Sequence, residues 1–303
     1  MELVRLKPAT KDYIWGGTKL KNIGKECDTD KLAECWELSM HPDGLCKIDS
    51  GIDKGKYLKD VITKADLGTN IEKFSFFPIL IKLIDANNKL SVQVHPSDEY
   101  ALREEKSYGK SECWYVLEAE KDAGLYVGFK KDTNREEIGE ALRNGTILEM
   151  LNFFKVKPGD HFFIEAGTIH AISNGVVVME IQQNSNLTYR LYDYNRLGND
   201  GKPRELHIEK ALNVIDYKAY HQEKNDNTSH LIAKCKYFSS FLYTSKELKG
   251  ISTDSTSFAT MTIIKGFGKV NNLEAKLGDT FFLSTNIFVE NSGDFEFILT
   301  KVE

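Results

Sequence analysis

The stretch Lys157-Pro158-Gly159-Asp160-His161-Phe162-Phe163-Ile164-Glu165-Ala166-Gly167-Thr168-Ile169-His170-Ala171-Ile172-Ser173-Asn174 decides how the chain is read. It opens on a Gly-Asp turn, runs into an aromatic-rich strand, and turns again at Gly167 before His170. Lys276-Leu277-Gly278-Asp279-Thr280-Phe281-Phe282-Leu283 echoes it, with the same Gly-Asp turn and the same kind of strand. Glycine tolerates backbone conformations closed to other residues, so each segment predicts a tight reversal. Working outward, strand-like runs recur at Cys113–Leu117, Leu125–Phe129, Val176–Gln182, Thr188–Tyr192, Phe238–Tyr243, Ala259–Ile264 and Phe295–Thr300. Many short strands broken by Gly-Asp turns predict a mainly β protein, an antiparallel sandwich or barrel, and the echo points to a duplicated one.

Two further runs matter for chemistry. Phe77–Ile84 is continuously apolar apart from Lys82 and stops at the turn composition Asp85-Ala86-Asn87-Asn88-Lys89. Leu90 to His95 then alternates, placing Leu90, Val92 and Val94 on one face and Ser91, Gln93 and His95 on the other. Three segments read as helical: 98–106, 133–151 and 204–216. The second opens on the capping box Thr133-x-x-Glu136 and is interrupted at Gly145. The polar stretch His221–Ser229 reads as a linker. The expected organisation is therefore a domain over 1–220 with helical insertions, a linker at 221–229, and a smaller β domain over 230–303.

The chain has 303 residues and a net charge of −5, with 41 % hydrophobic and 11 % aromatic side chains. That is ample for a core and argues against wholesale disorder. An acidic balance is wrong for a general nucleic-acid binder, which carries a basic stripe. There is no apolar run of about 18 residues for a membrane helix, and the start lacks the apolar region of a signal peptide. Five scattered cysteines without CxxC spacing favour neither a disulfide framework nor a thiolate zinc site. A soluble cytoplasmic protein is expected.

The pattern Gly159-x5-Glu165-x-Gly167-x2-His170-x3-Asn174 resembles the second motif of the cupin jelly rolls, with Glu165 in place of the usual proline. The resemblance implies a jelly-roll barrel with His170 facing its interior. Gln93-x-His95 stands where the first cupin motif has its histidine pair, and Glu112 is the candidate carboxylate, across a longer gap filled by the 98–106 segment. One amide, two imidazoles and one carboxylate suit zinc or another divalent first-row metal.

Longer motifs resemble type I mannose-6-phosphate isomerases, in their short bacterial branch. These are Gln93-Val94-His95-Pro96-Ser97-Asp98-Glu99-Tyr100-Ala101, Gly109-Lys110-Ser111-Glu112-Cys113-Trp114-Tyr115, and the run from Glu180 through Arg190 to Asp193. Trp15-Gly16-Gly17 and Trp36-Glu37-Leu38-Ser39 fit as well. The resemblance implies one zinc ion per chain, bound by His95, Glu112, His170 and Gln93. It also implies conversion of mannose 6-phosphate to fructose 6-phosphate, with Arg190 and Lys110 as catalytic residues and Arg196 and Ser91 at the substrate. Many short bacterial members have Asp where this chain has Asn186. Two other readings use the same residues: a non-haem iron oxygenase built on the 2-His-1-carboxylate set, and a sugar-binding cupin without turnover.

Overall fold

The computed structural model describes residues 2–198, 200–222 and 229–303. Three antiparallel sheets form successive layers. One has six strands in the order His161–Ile164, Glu112–Ala119, Val176–Gln183, Ile79–Ala86, Glu34–Leu38, Ala9–Lys11. The second has five, Tyr189–Tyr192, Val92–Val94, His170–Ile172, Gly124–Phe129 and Leu151–Lys155. These two face each other as a jelly roll, with Ile84, Trp114, Val116, Val176 and Val178 packed against Leu125, Val127 and Ile172. The third sheet, of nine strands, is built mainly from residues 231–302.

Strand parity explains the layering. In Val176–Gln183 the positions 176 and 178 enter the jelly-roll interior, while Val177, Met179 and Ile181 pack with Phe282, Ile298 and Val302 of the nine-stranded sheet. Both faces are covered, so all eight positions of Ile79–Ala86 and of Val176–Gln183 are buried. A strand buried on both faces loses the apolar–polar alternation of a half-exposed one. The inward parity also carries Lys82, Glu112 and Glu180 into the barrel, toward one end of it.

The expected helices are shorter than the sequence suggests: Asp98–Glu104, Arg135–Asn144 and Ile208–Val214. The cap of the second is Asn134 rather than Thr133, because the Asn134 side chain accepts from the backbone N–H of both Glu136 and Glu137. Gly145, at φ 72°, ends this helix, as its left-handed conformation requires. Ile138, Ala141, Ala211 and Leu212 pack on the outer face of the five-stranded sheet.

The two Gly-Asp turns match bond for bond. The Lys157 N–H donates to the Asp160 carboxylate at 2.9 Å and the Lys276 N–H to that of Asp279 at 3.1 Å. Gly159 and Gly278, at φ 94° and 90°, each donate to a strand carbonyl, of Val116 and Ile263. Residues 3–7 depart from a division at 221–229: Leu3–Lys7 pairs with Thr280–Leu283, so this strand belongs to the nine-stranded sheet. Its alternate residues Val4 and Leu6 supply the apolar face that makes this favourable. Of the linker expected at 221–229, residues 223–228 lie outside the described residues.

Candidate metal centre and sugar cavity

Three short strands set the first row of the site. Gln93 on Val92–Val94 is the Cα partner of His170 on one side and of Arg190 on the other. The inward side chains of this row continue as hydrogen bonds. Arg190 Nε donates to Ser91 Oγ at 3.3 Å, Ser91 Oγ to Gln93 Oε1 at 3.2 Å, and the Gln93 amide meets His170 Nε2 at 3.3 Å. His95 follows the strand, and Glu112 opens the facing strand Glu112–Ala119.

His95, Glu112 and His170 are buried, and their ligand atoms all lie within 4.8 Å of one another. Glu112 reaches both rings, with Oε2 3.5 Å from His95 Nε2 and Oε1 3.6 Å from His170 Nε2. The tautomers follow from the second ring nitrogens. His95 Nδ1 lies 2.8 Å from the Leu187 carbonyl and His170 Nδ1 2.8 Å from that of Thr168. A carbonyl can only accept, so each Nδ1 carries the proton and each Nε2 turns a lone pair toward Glu112. Glu112 Oε1 is buried and has no hydrogen-bond partner among the described residues. Two imidazole lone pairs and an unpartnered carboxylate oxygen make a donor set suited to zinc. Turning the Gln93 amide over would bring its oxygen to the same point.

Burial, reinforced by Lys110, holds both imidazoles neutral: His170 is pushed down to about 3 and His95 well below its ordinary value. Burial pushes the Glu112 carboxyl up, against the pull of Lys110. Lys110 donates to Glu112 Oε2, and its Nζ lies 3.0 Å from His95 Nε2 and 3.6 Å from Glu180 Oε1. From there a chain of alternating buried charges crosses the barrel. Glu180 Oε2 is 3.1 Å from Lys82 Nζ, which is 3.6 Å from Glu34 Oε2. Burial opposes ionisation of Glu180, but Lys110, Lys82 and the Trp114 N–H outweigh it and hold the carboxyl down at about 2.

A cavity of about 320 Å³ opens above this floor, lined by Ser91, Gln93, Lys110, Glu180, Lys82, Glu34, Asn186, Arg190, Arg204, Tyr13 and Trp15 among others. The Trp15 indole N–H is buried there without a hydrogen-bond partner among the described residues. Arg190 NH1 donates to the Glu205 carbonyl at 2.8 Å.

Sequence reasoning paired Arg190 with Arg196; the second guanidinium in the cavity wall is Arg204. Arg204 engages both oxygens of Asp193 and lies over the Trp15 ring, 5.1 Å from its centroid. Arg196 uses Nε and NH2 on the same Asp193 and is not among the lining residues. Lys82, Glu34 and Glu180 were missed as site residues, although a lone charge inside an apolar strand run was their available signal. Asn186 lies in the cavity wall, and its amide donates to Asp43 Oδ2 at 2.9 Å.

The model of the type I phosphomannose isomerase catalytic domain matches residues 3–125. Mannose-6-phosphate isomerase ManA of Bacillus subtilis is 39 % identical over 241 residues, which is 77 % of this chain and 76 % of that protein. The chain belongs to the mannose-6-phosphate isomerase family. A crystal structure of the mannose 6-phosphate isomerase from Bacillus subtilis superposes with a TM-score of 0.85 at 31 % identity, covering 99 % of each chain. A mannose 6-phosphate isomerase bound with zinc and yttrium shares the fold, at a TM-score of 0.76 and 18 % identity, with both chains covered in full. The cupin fold expected from the glycine and histidine spacing is thus the fold of this family. Among the described residues, no helix is long and apolar enough to cross a membrane.

Proposed function

We propose that the chain is a zinc-dependent aldose–ketose isomerase interconverting mannose 6-phosphate and fructose 6-phosphate. The observation that carries this reading is the buried His95–Glu112–His170 cluster beneath a cavity walled by two guanidiniums. His95, Glu112 and His170 would hold the ion, with Gln93 or a water completing the shell. When bound, zinc supplies a Lewis acid that polarises the sugar carbonyl and stabilises charge on the adjacent oxygens.

The chain's own groups do the rest. Isomerisation moves a proton between C1 and C2 through an enediol, so a proton carrier must face the cavity. Lys110 is placed for that role, buried between Glu112 and Glu180. Glu180, held anionic by Lys110 and Lys82, keeps the ammonium oriented. Arg190 is pushed below its ordinary value by burial and by Arg204, yet a guanidinium remains charged at neutral pH. It is assigned to the developing enediolate, with Ser91 oriented beside it. Arg204, locked in place by Asp193 and Trp15 through Nε and NH2, is assigned to the phosphate through its charge and its remaining N–H donors. The Trp15 N–H is left to donate to a sugar oxygen.

Guanidiniums facing a buried metal set suit a phosphosugar and have no evident use in an iron oxygenase. A small-molecule substrate and a cytoplasmic location complete the reading, with no nucleic-acid partner. The test is a coupled assay on purified protein with mannose 6-phosphate, before chelation, after it, and after zinc is restored. Turnover lost on chelation and recovered with zinc is expected; no turnover in the zinc-loaded protein would refute the proposal.

A further inference from the structure

Lys110 and Glu112 lie on one short segment, Gly109–Glu112, and its fixation can be traced outward. The Lys110 N–H donates to the Pro96 carbonyl at 3.0 Å and the Ser111 N–H to Gln183 Oε1 at 2.8 Å. The Gly109 N–H donates to Asp98 Oδ1 at 3.0 Å, and Gln183 Nε2 donates to the same oxygen at 2.8 Å. One carboxylate oxygen therefore anchors both the segment and the side chain that holds Ser111. Gly109 itself has no slack, since a Cβ there would collide with the Ser97 carbonyl carbon.

The other oxygen of Asp98 is held from outside the jelly roll. Oδ2 accepts from the Tyr237 hydroxyl and, at 2.7 Å, from Lys236 Nζ. Both residues sit in the turn between Leu231–Lys234 and Phe238–Thr244 of the nine-stranded sheet. Tyr237 is buried, whereas the Lys236 side chain is 66 % exposed. The Tyr237 ring makes a second link, edge-on to Tyr108 at 5.9 Å and stacked on Phe74 at 5.2 Å. Tyr108 precedes Gly109, and its carbonyl accepts from Ser185 Oγ at 3.0 Å. Two routes, one through Asp98 and one through Tyr108, thus run from Tyr237 to the residues immediately before Lys110.

We infer that Tyr237 is a positioning residue for Lys110 and Glu112, so that the nine-stranded sheet takes part in the reaction by fixing the segment that bears both. The inference rests on the roles assigned above to those two residues. Without the Tyr237 hydroxyl, Asp98 Oδ2 keeps only a flexible surface ammonium of these two partners. The carboxylate is then free to rotate, and Gly109 and Gln183 lose their common anchor. Catalytic groups tolerate little displacement, and a shift of about 1 Å can cost as much as 10²-fold.

The test uses the full chain loaded with zinc. Tyr237→Phe keeps the ring and removes the hydroxyl, Lys236→Met removes the exposed partner, and Val289→Ala destabilises the same sheet on its far face. The readouts are kcat and KM for mannose 6-phosphate and the rate at which zinc passes to a chromogenic chelator. Tyr237→Phe is expected to lose about tenfold in kcat with KM within about twofold, and to release zinc several times faster. Lys236→Met should match wild type, and Val289→Ala should lower Tm with kcat and zinc release unchanged. Wild-type kcat and zinc release in Tyr237→Phe would overturn the inference, as would equal losses in Val289→Ala. If Tyr237→Phe does not fold, Asp98→Asn is read by the same criteria from the other end of the bond. A wild-type protein without isomerase activity would count against the proposed function, while the zinc-release comparison would still decide the positioning role.

Discussion

Lys110 Nζ lies 3.0 Å from His95 Nε2, against the same lone pair that a metal would use. Ammonium and metal cannot both take that lone pair, so loading the site requires Lys110 to give up His95, with Glu180 the nearest carboxylate outside the ligand set. Lys110→Met should therefore bind zinc at least as well as wild type while kcat falls by about 10²–10⁴, the usual worth of a general acid–base group. His170→Ala should instead lose zinc and activity together. Metal content by elemental emission beside the coupled assay distinguishes them; zinc at one per chain in His170→Ala would remove that residue from the metal shell.

The two guanidiniums in the cavity wall should separate kinetically. Arg190→Ala is expected to lower kcat by about 10²–10³, as loss of one oxyanion donor does. Arg204→Ala should mainly raise KM, by about tenfold, equivalent to about 1.4 kcal/mol of binding. Arg196→Ala should change either constant by less than about twofold, because Arg196 lies outside the cavity lining that includes Arg204. A large KM effect at Arg196 with none at Arg204 would reverse the phosphate assignment.

Asp193 provides the acid-side signature. Burial alone would raise its carboxyl, but hydrogen bonds from Arg204 and Arg196 outweigh it and hold the group below its ordinary value. A depressed carboxyl contributes stability that is complete above its unfolded value, near 3.9, and is lost as pH falls through the folded one. Wild type should thus exceed Asp193→Asn in Tm at pH 7, and the gap should close below about pH 4. A gap independent of pH from 7 to 3 would count against the ion pair as its source.

The charge chain across the barrel makes a stability prediction. Lys82 stands between Glu34 and Glu180, all three nearly inaccessible to solvent. Lys82→Met removes the ammonium that Glu34 and Glu180 share, leaves them the indole N–H groups of Trp36 and Trp114 and, for Glu180, Lys110, and should cost about 3–5 kcal/mol, as breaking a buried pair does. Adding Glu180→Gln should recover part of the loss, because the two sites share one network. Urea unfolding of the single and double variants measures both; strictly additive losses would deny the coupling.

How much of this was legible in the sequence depended on what each residue must do locally. His170 could be found because glycines fix the turns on either side of its strand, and Gln93 and His95 because their strand alternates apolar and polar side chains. Glu34, Lys82 and Glu180 could not be placed that way. Their strands are covered on both faces, so apolar neighbours on the outer side hide the parity that points them inward. Arg204 escaped notice because its partner Asp193 is eleven residues away, across an irregular loop, and no periodicity links them. Arg196, three residues from Asp193, was the nearer and misleading choice. The repeated Gly-Asp turn was read correctly as a local signal, and its bond-for-bond match shows how much geometry four residues can specify.

The strand Leu3–Lys7 leaves the ribosome long before its partner Thr280–Leu283. At about 5–20 residues per second, Val4 and Leu6 wait roughly a quarter of a minute to a minute for Phe282 and Thr280 to be made. Once Tyr192 has been made the metal-binding half has all its own strands and can assemble, while Leu3–Lys7 has only Lys47–Ile48 on one side and nothing yet on the other. Vectorial synthesis therefore leaves the nascent protein with one unmatched strand edge, and completing the nine-stranded sheet is the step that withdraws it from solvent.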